Sequence, residues 1–596
     1  MRSSTSRRPT GAVGDGHTDD TAAIQEAISA GLGFGNPDKV LYFPAGTYLV
    51  TRSLEWRLAD GSWSTWLTLM GQNRDRTVIK LADSAPGFGD PANPRGVVVT
   101  GSQNTSGADG AGNQTFHNFV FDLTVDVGAG NPGADGIDLL ANNRGAIRNV
   151  VVRAAPDSGN TGISMNRRWP GPALLEDVRV DGFAQGVAVG NSEYSMTAED
   201  IRLAGQRVVG IENEGNVLTV RRLVSDNAVP AVRNGQPGST GSLLTLLDSS
   251  LIGGGASDVA AVENEGGSYL RGVRTDGYAT PVRDRGDELY PPEGGEWTST
   301  QPGGSGTALR MPIAEHPVRP AYPADQWASV SSFGARSDDD ADDTAPIQAA
   351  LDSGKPVVHL RPGMYEVSNT LHVPATVQAI MGFEALIDAT RGDFAGSSAA
   401  AVFSIPDTSP DPLMISQLLF KASPQVVDVE RLAERPVALR DVHIGGIPFR
   451  GSPGPLFLTD VEGGGGWHFT AGQQVWARQL NAEQPDTKIR NDGAELWILG
   501  LKTEAPGTVI ESTDGVRTEL LGGLLYPVGV VTDGTPAFSS SDAVQSLTFA
   551  TSAYEQDRNY EVLIEATRAG IRKRVTRDDV LDRGFGSMIT LHRDVP

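Results

Sequence analysis

Residues 11–28, GAVGDGHTDDTAAIQEAI, recur as residues 334–351, GARSDDDADDTAPIQAAL. Each copy is followed by a strand-like phrase, VLYFPAGTYLV at 40–50 and VVHLRPGMYEV at 357–367. A repeat that extends past a single motif predicts two similar domains. The Asp pairs in Thr18–Thr21 and Ala341–Thr344 invite a reading as catalytic carboxylates. The apolar stripe behind them, Ile24 and Ile28 in the first copy, instead predicts Asp as a helix N-cap satisfying orphan amides. A helix there would cover the open edge of a first coil.

Shorter phrases follow at near-constant spacing: LLEDVRVDG at 174–182, TAEDIRLAG at 197–205, LTVRRLVSD at 218–226 and SYLRGVRTDG at 268–277. Val178 to Ile201 is 23 residues and Ile201 to Leu223 is 22. Each phrase places aliphatic residues on one face and ends at a Gly or Asp turn, as stacked short parallel strands require. The pattern predicts an all-β chain of two tandem right-handed parallel β-helix domains, residues 1–285 and 327–545, each opened by a capping helix. Residues 286–326, rich in Pro and Gly and without periodicity, read as a linker. Residues 546–596 read as a C-terminal cap or docking tail, with helical spacing and a basic face between Tyr560 and Val580.

Composition narrows the partners. The 596 residues are 39% hydrophobic, and 72 Gly with 37 Pro imply many tight turns. A net charge of −24 opposes binding to nucleic acid or an anionic membrane, and it favours a neutral glycan over an anionic one. No Cys is present, which excludes thiol chemistry and Cys-ligated metals. The eight His are scattered without metal-ligand spacing, so neither metal nor cofactor is expected. The Gly463–Gly466 run lacks the Lys and the strand–loop–helix setting of a phosphate loop. Met1–Thr10 is basic without an apolar core, so the chain is expected to be cytoplasmic unless a leader has been removed.

One constellation has chemical potential. VWARQLNAE at 475–483 and LWILGLKTE at 496–504 align without gaps one coil apart, with TELLGGLLYP at 518–527 continuing the stack and setting Gly522 beneath Gly500. Trp476 falls in register with Trp497, and Glu483 with Glu504, which places two carboxylates about 4.8 Å apart. Like charges that close favour one protonated carboxyl, the requirement for a general acid in glycoside hydrolysis. The plainer alternative is a solvated Glu stack with Lys502 or Lys488 as ion-pair partner. Trp467, Trp476, Trp497 and Tyr526 concentrate aromatic faces beside these acids, as a sugar subsite does, although a buried ladder would look the same.

The repeated opening motif, together with these three phrases, resembles glycoside hydrolase family 55. Its members are mostly β-1,3-glucanases of two side-by-side β-helices within the pectate-lyase-like superfamily. The resemblance implies an exo-acting, inverting, cofactor-free hydrolase, extracellular and monomeric, with Glu504 as general acid and Glu483 near the attacking water. Carboxylates about 5 Å apart suit a retaining pair, whereas inversion needs about 6.5–9.5 Å. The water is therefore expected to be held by the first domain, where Tyr194 and Ser195 are candidates. Asn166 and Met196 stand where the resemblance leads one to expect glutamine-containing segments. Two other readings stay open: a polysaccharide lyase, and a non-catalytic glycan-binding or tailspike-like protein.

Overall fold

In the computed structural model, residues 11–594 are described apart from 37, 104–106, 108, 192–193, 239, 300–306, 319, 397–399, 554 and 556–557. The basic segment Met1–Thr10 and parts of the expected linker lie outside the described residues. The chain is an all-β, right-handed-type solenoid of about 21 turns with few helices. Strands up to Glu296–Thr298 form one hydrogen-bonded network, and strands from Trp327–Ser329 onward form others. We call these the first and second stack.

Coil register follows the sequence spacing. Val178 pairs with Ile201 and Arg202 with Val224 in the first stack, and Trp476 pairs with Trp497 in the second. Inward aliphatic residues of successive coils form a continuous core in each stack. A buried ladder runs up one corner of the first stack: Asn213 donates to Asn234 (2.8 Å), and Asn234 to Asn264 (2.7 Å). Each amide satisfies the next coil's, which makes a buried polar corner tolerable.

A second corner recurs with one left-handed residue per coil: Asp122, Asn149, Asp177, Asp200, Arg222 and Asp248, then Gln417, Asp441, Asp460, Gln479, Gly500 and Gly522. Asp and Asn tolerate this conformation because their short polar side chains bond locally. These corners face each other between the stacks. Arg148 pairs with Asp441 (2.7 Å), Arg440 with Glu176 (2.9 Å), Arg478 with Glu199 (2.7 Å) and Arg271 with Glu519 (2.8 Å).

A helix follows the first strand of each stack, α1 (Thr21–Gly31) after Asp15–Asp19 and α2 (Thr344–Leu351) after Trp327–Ser329. Ile24 and Ile28 are fully buried in the first core. The expected N-cap bonds are not made. Asp20 instead accepts from the Val13 and Gly14 amides (2.7 and 3.0 Å), and Asp343 from the Arg336 amide (2.9 Å), so these carboxylates brace the preceding loop. Asp19 and Asp342 take the Thr21 and Thr344 amides (both 3.0 Å).

The segment after Gly286 opens with strands Asp287–Leu289 and Glu296–Thr298, paired antiparallel to the last coils. Residues 308–316 then lie against both stacks. Glu519 accepts from the Arg310 and Met311 amides (both 3.0 Å), Trp476 Nε1 donates to Pro312 O (2.9 Å) and Arg478 to Ala314 O (3.0 Å). Between Tyr560 and Val580 the structure corrects the expected helical spacing. Val562–Arg568 and Ile571–Thr576 form an antiparallel hairpin turned at Ala569 and Gly570, both at positive φ (47° and 80°). The apolar run Val562–Ile564 is buried at the start of the first strand, and the basic residues Arg572–Arg574 lie exposed on the second.

Candidate active site

Strands Gln473–Ala482 and Glu495–Thr503 are neighbours, with Asn481 opposite Lys502. Glu483 and Glu504 follow directly at their ends and remain partly exposed, at 22% and 25%. The fully buried Lys502 donates from Nζ to Glu483 Oε1 (2.7 Å) and to Glu504 Oε1. Burial alone would lower the Lys502 pKa, but attraction to Glu483 and then Glu504 holds it above the ordinary lysine value. Of the two lysines expected as ion-pair partners in the plainer reading, Lys502 takes that place between the carboxylates, whereas Lys488 bonds the carbonyls of Pro506 and Gly507. Asn481 fixes the arrangement by donating to Glu483 Oε1 (2.9 Å) and to Asn143 O (3.0 Å) of the first stack.

Tyr194 and Tyr526 stand beside the trio. The Lys502 ammonium lies 5.8 Å from the Tyr194 ring centre, and the two rings are 6.2 Å apart. Tyr194 donates its hydroxyl to Asn113, which also accepts from Asn142 (3.1 Å). Ser195 is buried, and its hydroxyl has no partner among the described residues. Met196 is 1% exposed and belongs to the first core, so it points away from the acids. Asn166 is exposed just past the end of strand Thr161–Met165 of the same stack.

The aromatic subsite needs correcting. Trp467 is 2% exposed inside the second core, and Trp497 is fully buried between the stacks with Leu247, Tyr269 and Met311. Neither presents a face to a sugar. Trp476 is partly buried, stacked on Phe457 (5.2 Å) under the inter-stack segment. Tyr194 and Tyr526 adjoin the trio but are themselves buried, at 1% and 6% exposed, so they pack against it rather than offer an open face.

Residues 6–233 match the family model described as rhamnogalacturonase A/epimerase, pectate lyase-like. A glucan 1,3-β-glucosidase of Cochliobolus carbonum is 25% identical over 416 residues, covering 61% of this chain and 50% of that protein. A probable glucan endo-1,3-β-glucosidase of Arthroderma benhamiae is 24% identical over 517 residues, covering 62% and 56%. This chain resembles the β-1,3-glucanases of glycoside hydrolase family 55. It spans about half the length of the curated relatives it matches. A solved structure of a sacteLam55A variant from Streptomyces sp. SirexAA-E, in complex with glucose, aligns over 96% of this chain and 97% of that one, with a TM-score of 0.49 and 14% identity.

In this family 55-like chain, sequence reasoning missed a charged cluster buried between the stacks. Arg144 donates to Glu384 Oε2 (2.6 Å) and to His117 Nδ1 (3.0 Å), while His117 Nε2 meets Glu462 (3.2 Å). His117 Nδ1 also lies 3.1 Å from Glu384 Oε2, so each ring nitrogen faces a carboxylate. Burial and then Arg144 lower the His117 pKa below its usual value. Burial opposes ionisation of Glu384, yet Arg144 and His117 hold its pKa at about 2. His443 also reaches Glu462 (2.7 Å). The first-stack pair, His117 and Arg144, lies 240 or more positions from its partners Glu384 and Glu462, and no local motif links the two groups.

Proposed function

We propose that the chain is a glycoside hydrolase that cleaves β-1,3-glucan, exo-acting and inverting, with Glu504 as the general acid. The observation that carries this reading is the Glu483–Lys502–Glu504 trio at a partly exposed edge beside Tyr194 and Tyr526, in a chain similar to glucan 1,3-β-glucosidases. With both carboxylates ionised the trio carries one surplus negative charge, solvated only through the exposed fraction of the two Glu. A neutral sugar covering them removes that water, and uptake of one proton then relieves the desolvation cost. Lys502 and Glu483 remain an ion pair, and Glu504 holds the proton.

Glu504 delivers that proton to the glycosidic oxygen as the bond from the anomeric carbon to that oxygen breaks. Water adds to the opposite face of the sugar, and its proton passes toward Glu483. Tyr194 and the unpartnered Ser195 hydroxyl are the first-stack groups assigned to position water or sugar. The same proposal takes residues 1–285 and 327–545 as two domains closed by α1 and α2, joined through 286–326 and ended by 546–596, acting as a monomer. The test is proton NMR of laminari-oligosaccharides incubated with the protein. Glucose released first as the α-anomer, and lost in Glu504→Gln, is the expected result. Release of the β-anomer first, or full activity in Glu504→Gln, would overturn the assignment.

A further inference from the structure

A second recess lies on a sheet of the first stack formed by strands Arg95–Val99, Ala134–Asp138, Thr161–Met165 and Gln185–Gly190. It encloses about 550 Å³, and all of its lining comes from the first stack. A neighbouring recess of about 690 Å³ shares Ser53, Glu55 and Arg95 with it, so the two adjoin.

The floor is built of polar groups. Asp135 is 5% exposed and accepts at Oδ1 from Asn160 Nδ2 and the Thr161 amide (both 2.9 Å), while burial raises its pKa to about 6. Asp138 pairs with Arg167 (2.8 Å), whose remaining donors are taken by the carbonyls of Thr100, Asp109 and Asp138. Ser164 stands next to Asp138 in register. It is 8% exposed and lines the groove, where its hydroxyl stays open to solvent and to a ligand.

The lining also selects. In the 550 Å³ recess four carboxylates, Glu55, Asp109, Asp135 and Asp138, face two guanidiniums, Arg95 and Arg167. Surplus carboxylate oxygens accept from hydroxyls and repel uronates and phosphates. A groove of about 550 Å³ has room for a short run of linked sugars. We propose that it binds a stretch of neutral β-glucan chain, as a second site distinct from the Glu504 trio. The choice of glucan rests on the proposed hydrolase reading; the groove and its preference for a neutral, hydroxyl-rich ligand do not.

The test is native gel electrophoresis of the full-length Glu504→Gln protein through laminarin, with polygalacturonate in a parallel gel. Laminarin is expected to retard it and polygalacturonate is not. Ser164→Val, which removes the free hydroxyl, and Gln185→Trp, which fills the groove from its half-buried rim, should each weaken retardation at least about five-fold, the scale of one or two lost hydrogen bonds. Unchanged retardation in both variants, or stronger retardation by polygalacturonate, overturns the proposal. Hydrolysis of laminarin by the unsubstituted protein is scored separately. Groove-dependent retardation without hydrolysis sinks the hydrolase reading alone, and hydrolysis with groove-independent retardation sinks this one alone.

Discussion

Exchange of Lys502 for Met keeps most of the buried stem and removes the ammonium that Glu483 and Glu504 share. The two carboxylates are then left about 5 Å apart. At an effective dielectric of about 20, repulsion at that separation is about 3 kcal/mol, equivalent to roughly 2 pKa units on whichever carboxyl protonates first. Loss of one partner from a buried ion pair also costs about 3–5 kcal/mol of stability. The readout is carbon-13 NMR of Glu side-chain carboxyls across pH, with the two signals assigned through Glu483→Gln and Glu504→Gln. One of the pair should titrate roughly 2 units higher in Lys502→Met than in the parent, and the rise should vanish in Lys502→Met/Glu483→Gln. If both carboxyls titrate within half a unit of their parent positions, roughly the precision such an estimate allows, the ammonium does not govern the pair and the acid mechanism loses its basis.

Four further outcomes follow from the geometry. Gly500 sits at φ +75°, where an added Cβ would run into Thr197 Oγ1 across the inter-stack contact; Gly500→Ala should cost about 2–4 kcal/mol, read by denaturant unfolding. Glu384 has its pKa depressed to about 2, so its contribution is fully present above about 4.5 and is lost as pH falls toward 2; acid unfolding in that window should be blunted in Glu384→Gln, which is itself destabilised at neutral pH. The raised Lys502 pKa acts at the other extreme, with its stabilisation intact below about 10.5 and lost as pH rises through the folded value; Lys502→Met should remove that alkaline transition from a thermal melt series. Met196→Gln buries an amide in the first core and should lower the melting temperature without raising hydrolysis of laminari-oligosaccharides, checked by calorimetry and product NMR.

Most of the coil register was legible because a solenoid repeats its constraint every turn: Val178 faces Ile201, and Trp476 faces Trp497, as the gap-free alignment demands. The left-handed corner was less so. Asp177, Asp200, Arg222 and Asp248 occupy it in successive coils of the first stack, yet Gln479 and Gly500 do the same in the second, so residue type alone does not mark it. Glu483 and Glu504 were found because they lie one coil apart. The direction of their neighbours was not, since Ser195, Met196 and Thr197 alternate between outside and core, and a shift of one residue reverses the assignment. Burial of Trp467 and Trp497 depends on the second stack's core and on the first stack's approach, neither of which is written in the local sequence.

The salt bridges between the stacks have a bearing on how this chain can change in length. Between Glu176 and Arg271 the first stack rises through four coil-to-coil steps, and between Arg440 and Glu519 the second rises through four as well. Arg440 meets Glu176 at one end, Arg271 meets Glu519 at the other, and residues 310–314 are bonded to side chains of the second stack between them. A lone solenoid can gain or lose a whole turn and remain continuous. Here the two act like a pair of meshed racks: deleting a turn from either within this span would leave the other out of step and strand charged groups without counterparts. Growth of this part of the molecule is therefore confined to matched insertions, and the Arg144–Glu384 and Arg583–Gly241 bonds carry the same constraint past both ends of the span.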